Sequence, residues 1–301
     1  MIENIVINQF KGSILLGAIG DAWGSAYENQ TLPDEKAFHL FKEPKKTKIW
    51  QFTDDTQLTL ATCEAILEDP TVAPKTLVTY FLKYYNENRI NGIGASTLKA
   101  LQELNAGSHW SQTGRKGEFA AGNGSAMRIA PVAFLKNISR ERIREISYIT
   151  HQNEEAYVGA LAIVLCIKEM IVNSWQHSSL LECIIPQLPD TNVKDRLLLL
   201  HKLEHKSITN IGELGNNGYV VNSIPLAIFA AQKIKTQSVT SIFEELIAVG
   251  GDTDTNCSIA GQIMGAFIGI NSIPIALKDK IISLSGYSSL DEIINKLSNI
   301  N

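Results

Sequence analysis

Apolar residues along this 301-residue chain recur mostly at three- and four-residue spacing, and stretches that alternate at every second position are scarce. That periodicity predicts helices nearly end to end. Over residues 9–23, Phe10, Ile14, Leu15, Ala18, Ala22 and Trp23 share one helical side. Gly17, Gly20 and Gly24 interrupt it with poor helix formers. They imply a second backbone packed closely against the helix, or a sharp exit into Ser25-Ala26-Tyr27-Glu28. Residues 29–50 are polar, hold Pro33 and Pro44 and end near a basic cluster, so they read as a long loop of the lid-forming kind. Thr53 or Asp54 then caps a helix to residue 67, with Leu58, Ala61, Ala65 and Ile66 as its apolar side.

Helices are predicted over 74–85 and 96–104, followed by a Gly- and Ser-rich loop over 105–125. Residues 127–135 read as helical despite Pro131, and Ser139 caps a helix to 148. The segment 154–172 is expected to be the longest and most apolar helix and to lie centrally. Two helices within 180–203 are parted by Pro186 and Pro189, and 212–218 is a glycine-rich loop. Ser223 is expected to cap 224–234 with Pro225 in its first turn. Ser238 caps a helix to 249. The helix over 255–268 carries Gly261, Gly265 and, just beyond, Gly269 at every fourth position, a stripe that admits a close neighbour. Ser289-Leu290-Asp291-Glu292 reads as the capping box of a last helix. The fold class is all-α, in one domain over residues 1–301.

Composition narrows the function classes. A net charge of −4 gives no broad nucleic-acid surface. Cys63, Cys166, Cys183 and Cys257 are scattered without Cys-x-x-Cys spacing, so neither a structural zinc nor a disulfide scaffold is expected. The N-terminus lacks a basic region followed by an apolar core, and the longest apolar run, 160–167, is far below the roughly 20 residues that span a bilayer. A cytoplasmic protein with no membrane partner is the expectation. His201 and His205 flank Glu204 at helical spacing, but lysines surround them and no third zinc ligand is evident.

Two short acidic stretches almost 200 residues apart carry the candidate chemistry. Thr53-Asp54-Asp55-Thr56 and Gly250-Gly251-Asp252-Thr253-Asp254-Thr255 hold four of the 11 aspartates, set among hydroxyls. Such oxygen-rich donors suit a hard divalent cation. An Asp-Asp pair at a helix start is also ordinary capping, because the helix dipole favours carboxylates there. The second stretch is more specific, since capping needs neither two Asp nor two Gly. Four carboxylates can neutralise two Mg²⁺ ions, whose bound water is a natural nucleophile.

Five stretches, in order, resemble the ADP-ribosylglycohydrolase family. They are Gly17-Ala18-Ile19-Gly20-Asp21-Ala22-Trp23-Gly24 with Glu28; Thr53-Asp54-Asp55-Thr56; Gly122-Asn123-Gly124-Ser125-Ala126-Met127-Arg128; Thr150-His151; and Gly250 to Thr255. The resemblance implies an all-α fold with two Mg²⁺ ions in a cleft, Mn²⁺ being a possible substitute. It implies Thr53, Asp54, Asp55, Asp252, Asp254 and Thr255 as metal ligands. Glu28, Asp55 and Asp254 are the implied catalytic residues, Glu28 acting on the leaving group or the attacking water. Asp21 is expected to support the ligands rather than bind an ion. Gly122, Asn123, Gly124 and Ser125, ahead of a predicted helix, offer backbone N–H groups to an anion, which the resemblance makes the diphosphate of ADP-ribose. His151 and Tyr219 complete the implied ligand contacts, whereas Arg128 is expected in a salt bridge.

The sequence departs from the family at Gln152-Asn153-Glu154-Glu155, where many relatives have a further His or Asn and then Pro, and at Asn91, where some have Asp. The expected activity is Mg²⁺-dependent removal of ADP-ribose from a protein side chain, arginine first. The partners are then an ADP-ribosylated protein as substrate and ADP-ribose as product. Alternatives are serine- or O-acetyl-linked ADP-ribose, a dimetal nucleotide phosphohydrolase, and a non-catalytic ADP-ribose-binding protein.

Overall fold

The computed structural model describes residues 2–28, 48–172 and 175–297, so most of the loop expected over 29–50 lies outside the described residues. The chain is all-α, as the periodicity predicts. The helices are α1 (Ile2–Ser25), α2 (Asp54–Glu68), α3 (Pro74–Asn86), α4 (Ala95–Asn105), α5 (Arg140–Tyr148), α6 (Glu154–Val172) and α7 (Leu180–Ile184). They continue with α8 (Asn192–Lys202), α9 (Ile208–Gly212), α10 (Val220–Gln232), α11 (Val239–Val249), α12 (Thr253–Ile268), α13 (Ile275–Ile282) and α14 (Tyr287–Leu297). Among the described residues the only strands are two-residue segments, β1 (Arg115–Lys116) and β2 (His151–Gln152), paired in parallel with Arg115 opposite His151. No described helix is long and apolar enough to cross a membrane.

The two glycine stripes face each other. α1 and α12 run antiparallel in backbone contact, Gly12 meeting Gly265 at one end and Gly24 meeting Thr253 and Asp254 at the other. A Cβ on Gly24 would overlap the Thr253 carbonyl oxygen. Leu16, Ile19 and Ala22 of α1 and Ile259, Ala260, Ile263 and Met264 of α12 are fully buried. Helices apolar on all sides belong inside a fold. The longest helix is α1, with 24 residues against 19 in α6, contrary to expectation. α6 is nevertheless buried from Ala156 to Val164.

Other boundaries shift for local reasons. Residues 127–135 are not an α-helix: a run of turns leads into a 3₁₀ helix, Ala130–Phe134, with Pro131 in its first turn. The Asn123 carbonyl gathers the N–H groups of Ala126 and Met127 and so tightens the chain here, and Pro131 has no N–H to give an α-helical bond. α10 starts at Val220, which leaves Pro225 inside it rather than in its first turn. α9 and α13, with 5 and 8 residues, are too short for periodicity to reveal. α14 begins at Tyr287, so Ser289 lies within it rather than capping it.

Candidate active site

The end of α1 brings the two acidic stretches together. Asp21, completely buried on its last turns, accepts hydrogen bonds from Thr53 N (3.0 Å), Thr53 Oγ1 (2.6 Å), Thr56 N (3.2 Å) and the Thr56 hydroxyl. The start of α2 is thereby fastened to α1. The start of α12 is fastened to the same end by Thr253 Oγ1, which donates to the Gly24 carbonyl (2.8 Å). Thr255 Oγ1 then donates across to Asp55 Oδ2 (3.0 Å).

Around these helix starts the backbone is held individually. Thr53 caps α2 by accepting from Asp55 N, and Asp54 N donates to the Asn91 carbonyl (2.8 Å). Gly250 and Gly251 turn the chain into α12 with φ of +75° and +76°, a region L side chains rarely adopt. Asp252 N donates to the Asn216 carbonyl (3.0 Å), and Asp252 Oδ2 accepts from Asn123 Nδ2 (2.6 Å).

The result is a dense group of carboxylates. Oxygens of Asp21, Asp55 and Asp254 lie within 4.8 Å of one another, and so do those of Glu28, Asp252 and Asp254. Asp254 belongs to both triads. Burial, then the neighbouring carboxylates, hold Asp55 well above the ordinary carboxylate range. The same causes push Asp254 up to about 10 and Asp54 up to about 8. Burial raises Asp21 to about 6 against the four hydrogen bonds that pull it down. Among the described residues none of the five aspartates forms an ion pair. Asp55 Oδ1 is buried with no hydrogen-bond partner.

An all-oxygen donor set, an unsatisfied buried oxygen and mutual repulsion are what a bound divalent cation would relieve. The residues present therefore fit a metal centre. Each triad has three carboxylates close enough to share an ion, and Asp54 belongs to neither.

Part of this carboxylate group lines a cleft of about 570 Å³, a size ordinary for small-molecule sites. Glu28, Asp54, Asp252, Asp254 and Thr255 reach its wall, whereas Thr53 and Asp55 do not. The same cleft is lined by Gly122, Asn123, Gly124, His151 and Tyr219, with Asn123 in direct contact with Asp252. Asn123 N donates to the Gly218 carbonyl (3.1 Å) and Val220 N to the Ala121 carbonyl (2.9 Å), which joins the loop to the start of α10. Ser125 is set back: buried, it donates to the Ala156 carbonyl (3.3 Å). The helix start expected behind this loop is absent, as described above. Among the described residues, however, Gly124 N and Ser125 N donate to no backbone carbonyl.

The model of the ADP-ribosylglycohydrolase family matches residues 3–300. The chain belongs to that family. It is 25% identical to the ADP-ribosylhydrolase ARH3 of Xenopus tropicalis, covering 97% of this chain and 95% of that protein. It is 25% identical to the ADP-ribosylarginine hydrolase Tri1 of Pseudomonas putida, over 91% of this chain and 74% of the relative. A solved structure titled ADP-ribosylglycohydrolase-related protein complex superimposes with a TM-score of 0.75 at 21% identity, covering 98% of both chains, and shows the same fold.

Several cleft residues escape sequence reasoning, Arg115, Glu118 and Phe119 among them. They sit in the segment read only as a Gly- and Ser-rich loop. Gln152 anchors that loop by donating to the Ser111 (3.1 Å) and Thr113 (2.8 Å) carbonyls, and β1 pairs with β2. Phe119 is 78% exposed and lines the cleft with Tyr219. The available signal was an exposed aromatic and an arginine placed just before Gly122 in a loop of small residues. Arg128 is not in a salt bridge with any described residue, contrary to expectation. Fully buried, it donates to the Gly124 carbonyl and to Thr150 Oγ1 (2.8 Å), with its guanidinium over the Phe81 ring.

Proposed function

We propose that this chain is a Mg²⁺-dependent hydrolase that releases ADP-ribose from a modified protein side chain, with arginine as the linked residue. The observation that carries the reading is the pair of carboxylate triads sharing Asp254, which lines one cleft together with the Gly122–Gly124 loop. Small residues and free backbone N–H groups there suit a diphosphate. The exposed rings of Phe119 and Tyr219 offer flat apolar surface to an adenine. Arginine is favoured because Glu28 and Glu118, neither of them assigned to the ions, offer the wall two carboxylates against one arginine, Arg115. It also agrees with the name of the Pseudomonas putida relative.

Asp54, Asp55, Asp252 and Asp254 would hold the ions, with Thr53 and Thr255 as the hydroxyl donors named by the family motif. Bound Mg²⁺ supplies charge to orient sugar hydroxyls and lowers the pKa of water. Asn123 fixes the Asp252 carboxylate and Asp21 fixes the start of α2. The bond from C1 of the distal ribose to the guanidinium nitrogen breaks, and a bond from C1 to the water oxygen forms. Glu28 accepts the water proton at a carboxylate oxygen and delivers it to the departing nitrogen.

A release assay with arginine-, serine- and O-acetyl-linked ADP-ribose, each with Mg²⁺, with Mn²⁺ and with chelator, tests this directly. The expected outcome is free ADP-ribose from the arginine linkage, lost on chelation. Release of phosphate in place of ADP-ribose would instead make the centre a phosphohydrolase.

A further inference from the structure

Among the described residues His151 is the one imidazole on the cleft wall. It is buried, and its Nδ1 lies 2.7 Å from Thr150 Oγ1. The direction of that hydrogen bond follows from what stands behind the hydroxyl. Arg128 Nη2 donates to the same Thr150 oxygen at 2.8 Å, and a guanidinium has only donors. Among the described residues no other acceptor is in hydrogen-bond reach of the Thr150 hydroxyl. A buried hydroxyl that leaves its proton unused is costly. Its proton therefore goes to Nδ1, and the imidazole proton goes to Nε2.

The far side of the ring agrees with this assignment. Nε2 faces the glycine loop, where a Cβ built on Gly122 would lie 3.1 Å away. A Cβ on Gly124 would meet Cε1 at 2.8 Å. Among the described residues Nε2 makes no hydrogen bond of its own. Burial, then the charges of Arg128 and Arg115, lowers the imidazole to about 3, so the ring is neutral at pH 7. The Phe81 ring, 4.9 Å from the guanidinium carbon, and the Gly124 carbonyl hold Arg128 in place.

We infer that Arg128 and Thr150 are positioning residues that fix His151 as a neutral imidazole with its proton on Nε2, a hydrogen-bond donor to an oxygen of bound ADP-ribose. This inference rests on the proposed ligand. Arg128 contributes through Thr150: its charge fixes which way the hydroxyl donates, and the hydroxyl fixes the tautomer. Without that chain the two neutral tautomers would compete, and the Nδ1-protonated form would present a lone pair to an anionic ligand.

The test combines a spectrum with a titration. In the ¹⁵N-histidine-labelled full chain, long-range ¹H–¹⁵N correlation reads each ring nitrogen, and His151→Gln assigns the signal among six histidines. The expected spectrum at neutral pH has His151 protonated on Nε2 and bare on Nδ1. Protonation on Nδ1, or on both nitrogens, overturns the inference whatever the protein binds. Calorimetry with ADP-ribose then compares Thr150→Val with Thr150→Ser. Loss of the hydroxyl in the valine variant should weaken binding about tenfold, while serine stays within about twofold of wild type. Equal loss in both would show that Thr150 acts through shape alone, which also overturns it. Wild-type chain with the Nε2 tautomer but no affinity for ADP-ribose would instead overturn the functional reading, and the donor role with it.

Discussion

Removing divalent cations should make the stability of this protein fall steeply with pH above 6.5. Asp54 rises from 3.8 to about 8 on folding, and Asp254 from 3.8 to about 10. A carboxyl whose pKa is raised in the native state binds its proton more tightly there than in the unfolded chain. The unfolded state then carries fewer protons, and stability decreases as pH rises between the unfolded and folded values. His151 works in the opposite sense. Its folded pKa is depressed to about 3, so stability is lost as pH falls below 6.5. Below 6.5 the two effects oppose each other, and above it only the carboxylates remain.

Between pH 6.5 and 8 each raised aspartate costs about 1.4 kcal/mol per pH unit, hence about 2 kcal/mol each and about 4 kcal/mol for Asp54 and Asp254 alone, and Asp55, also raised, adds to the slope in the same sense. With roughly 2.1 cal/mol/K of unfolding entropy per residue over 301 residues, that is a Tm drop of about 6 °C. Thermal melts in chelator at pH 6.5, 7.2 and 8 measure it. Saturating Mg²⁺ should flatten the slope, because the cation keeps the carboxylates ionised in the native state. At a hundred times its Kd it should also add about 2.7 kcal/mol. Asp54→Asn in chelator should make the slope shallower. Equal slopes with chelator and with Mg²⁺, or rising stability in chelator over this range, would refute the argument.

Replacing Asp54 and Asp55 together by Ala should abolish turnover in the ADP-ribose release assay while far-UV circular dichroism stays helical; retained turnover would remove the metal centre from the mechanism. Glu28→Gln should keep ADP-ribose affinity by calorimetry and lose roughly 10²-fold or more in kcat, the scale of a lost general acid–base group. Gly24→Ala forces a methyl against the Thr253 carbonyl and should destabilise by about 1–3 kcal/mol in urea melts. Its turnover should fall too, because the same contact seats the start of α12.

The parts of the site legible in the sequence were those in which several uncommon residues crowd a short stretch. Two Gly, two Asp and two Thr between 250 and 255 exceed any need of capping, and the structure places them at the turn into α12. The glycine stripes were legible as close approaches, but not as partners of each other, because periodicity carries no information about which helix lies opposite. Asp21 illustrates another limit. One carboxylate inside an apolar helix looks unremarkable until Thr53 and Thr56, more than 30 residues on, fold onto it with four hydrogen bonds. Arg128 was misjudged because an arginine is ordinarily paired with an acid, whereas here a carbonyl, a hydroxyl and an aromatic ring surround it. Phe119 and Arg115 were missed because their loop has no period of its own.

The position of the carboxylates at two helix starts bears on how the chain folds before any ion arrives. Each N-terminus presents roughly half a positive charge, which stabilises ionised aspartates and repels a cation. If the dipoles prevailed, the aspartates would sit below their ordinary values and need no counterion. They sit above, because burial and mutual repulsion outweigh the hydrogen bonds they accept. The dipoles still reduce the excess, and protonation removes more of it, since Asp54 and Asp254 keep their protons at pH 7 in the absence of metal. The α1–α12 contact that forms the site is made of glycine backbone and apolar side chains, and it does not depend on the ion. Metal binding must then displace protons from a preformed site, so affinity should strengthen as pH rises even while the metal-free chain weakens.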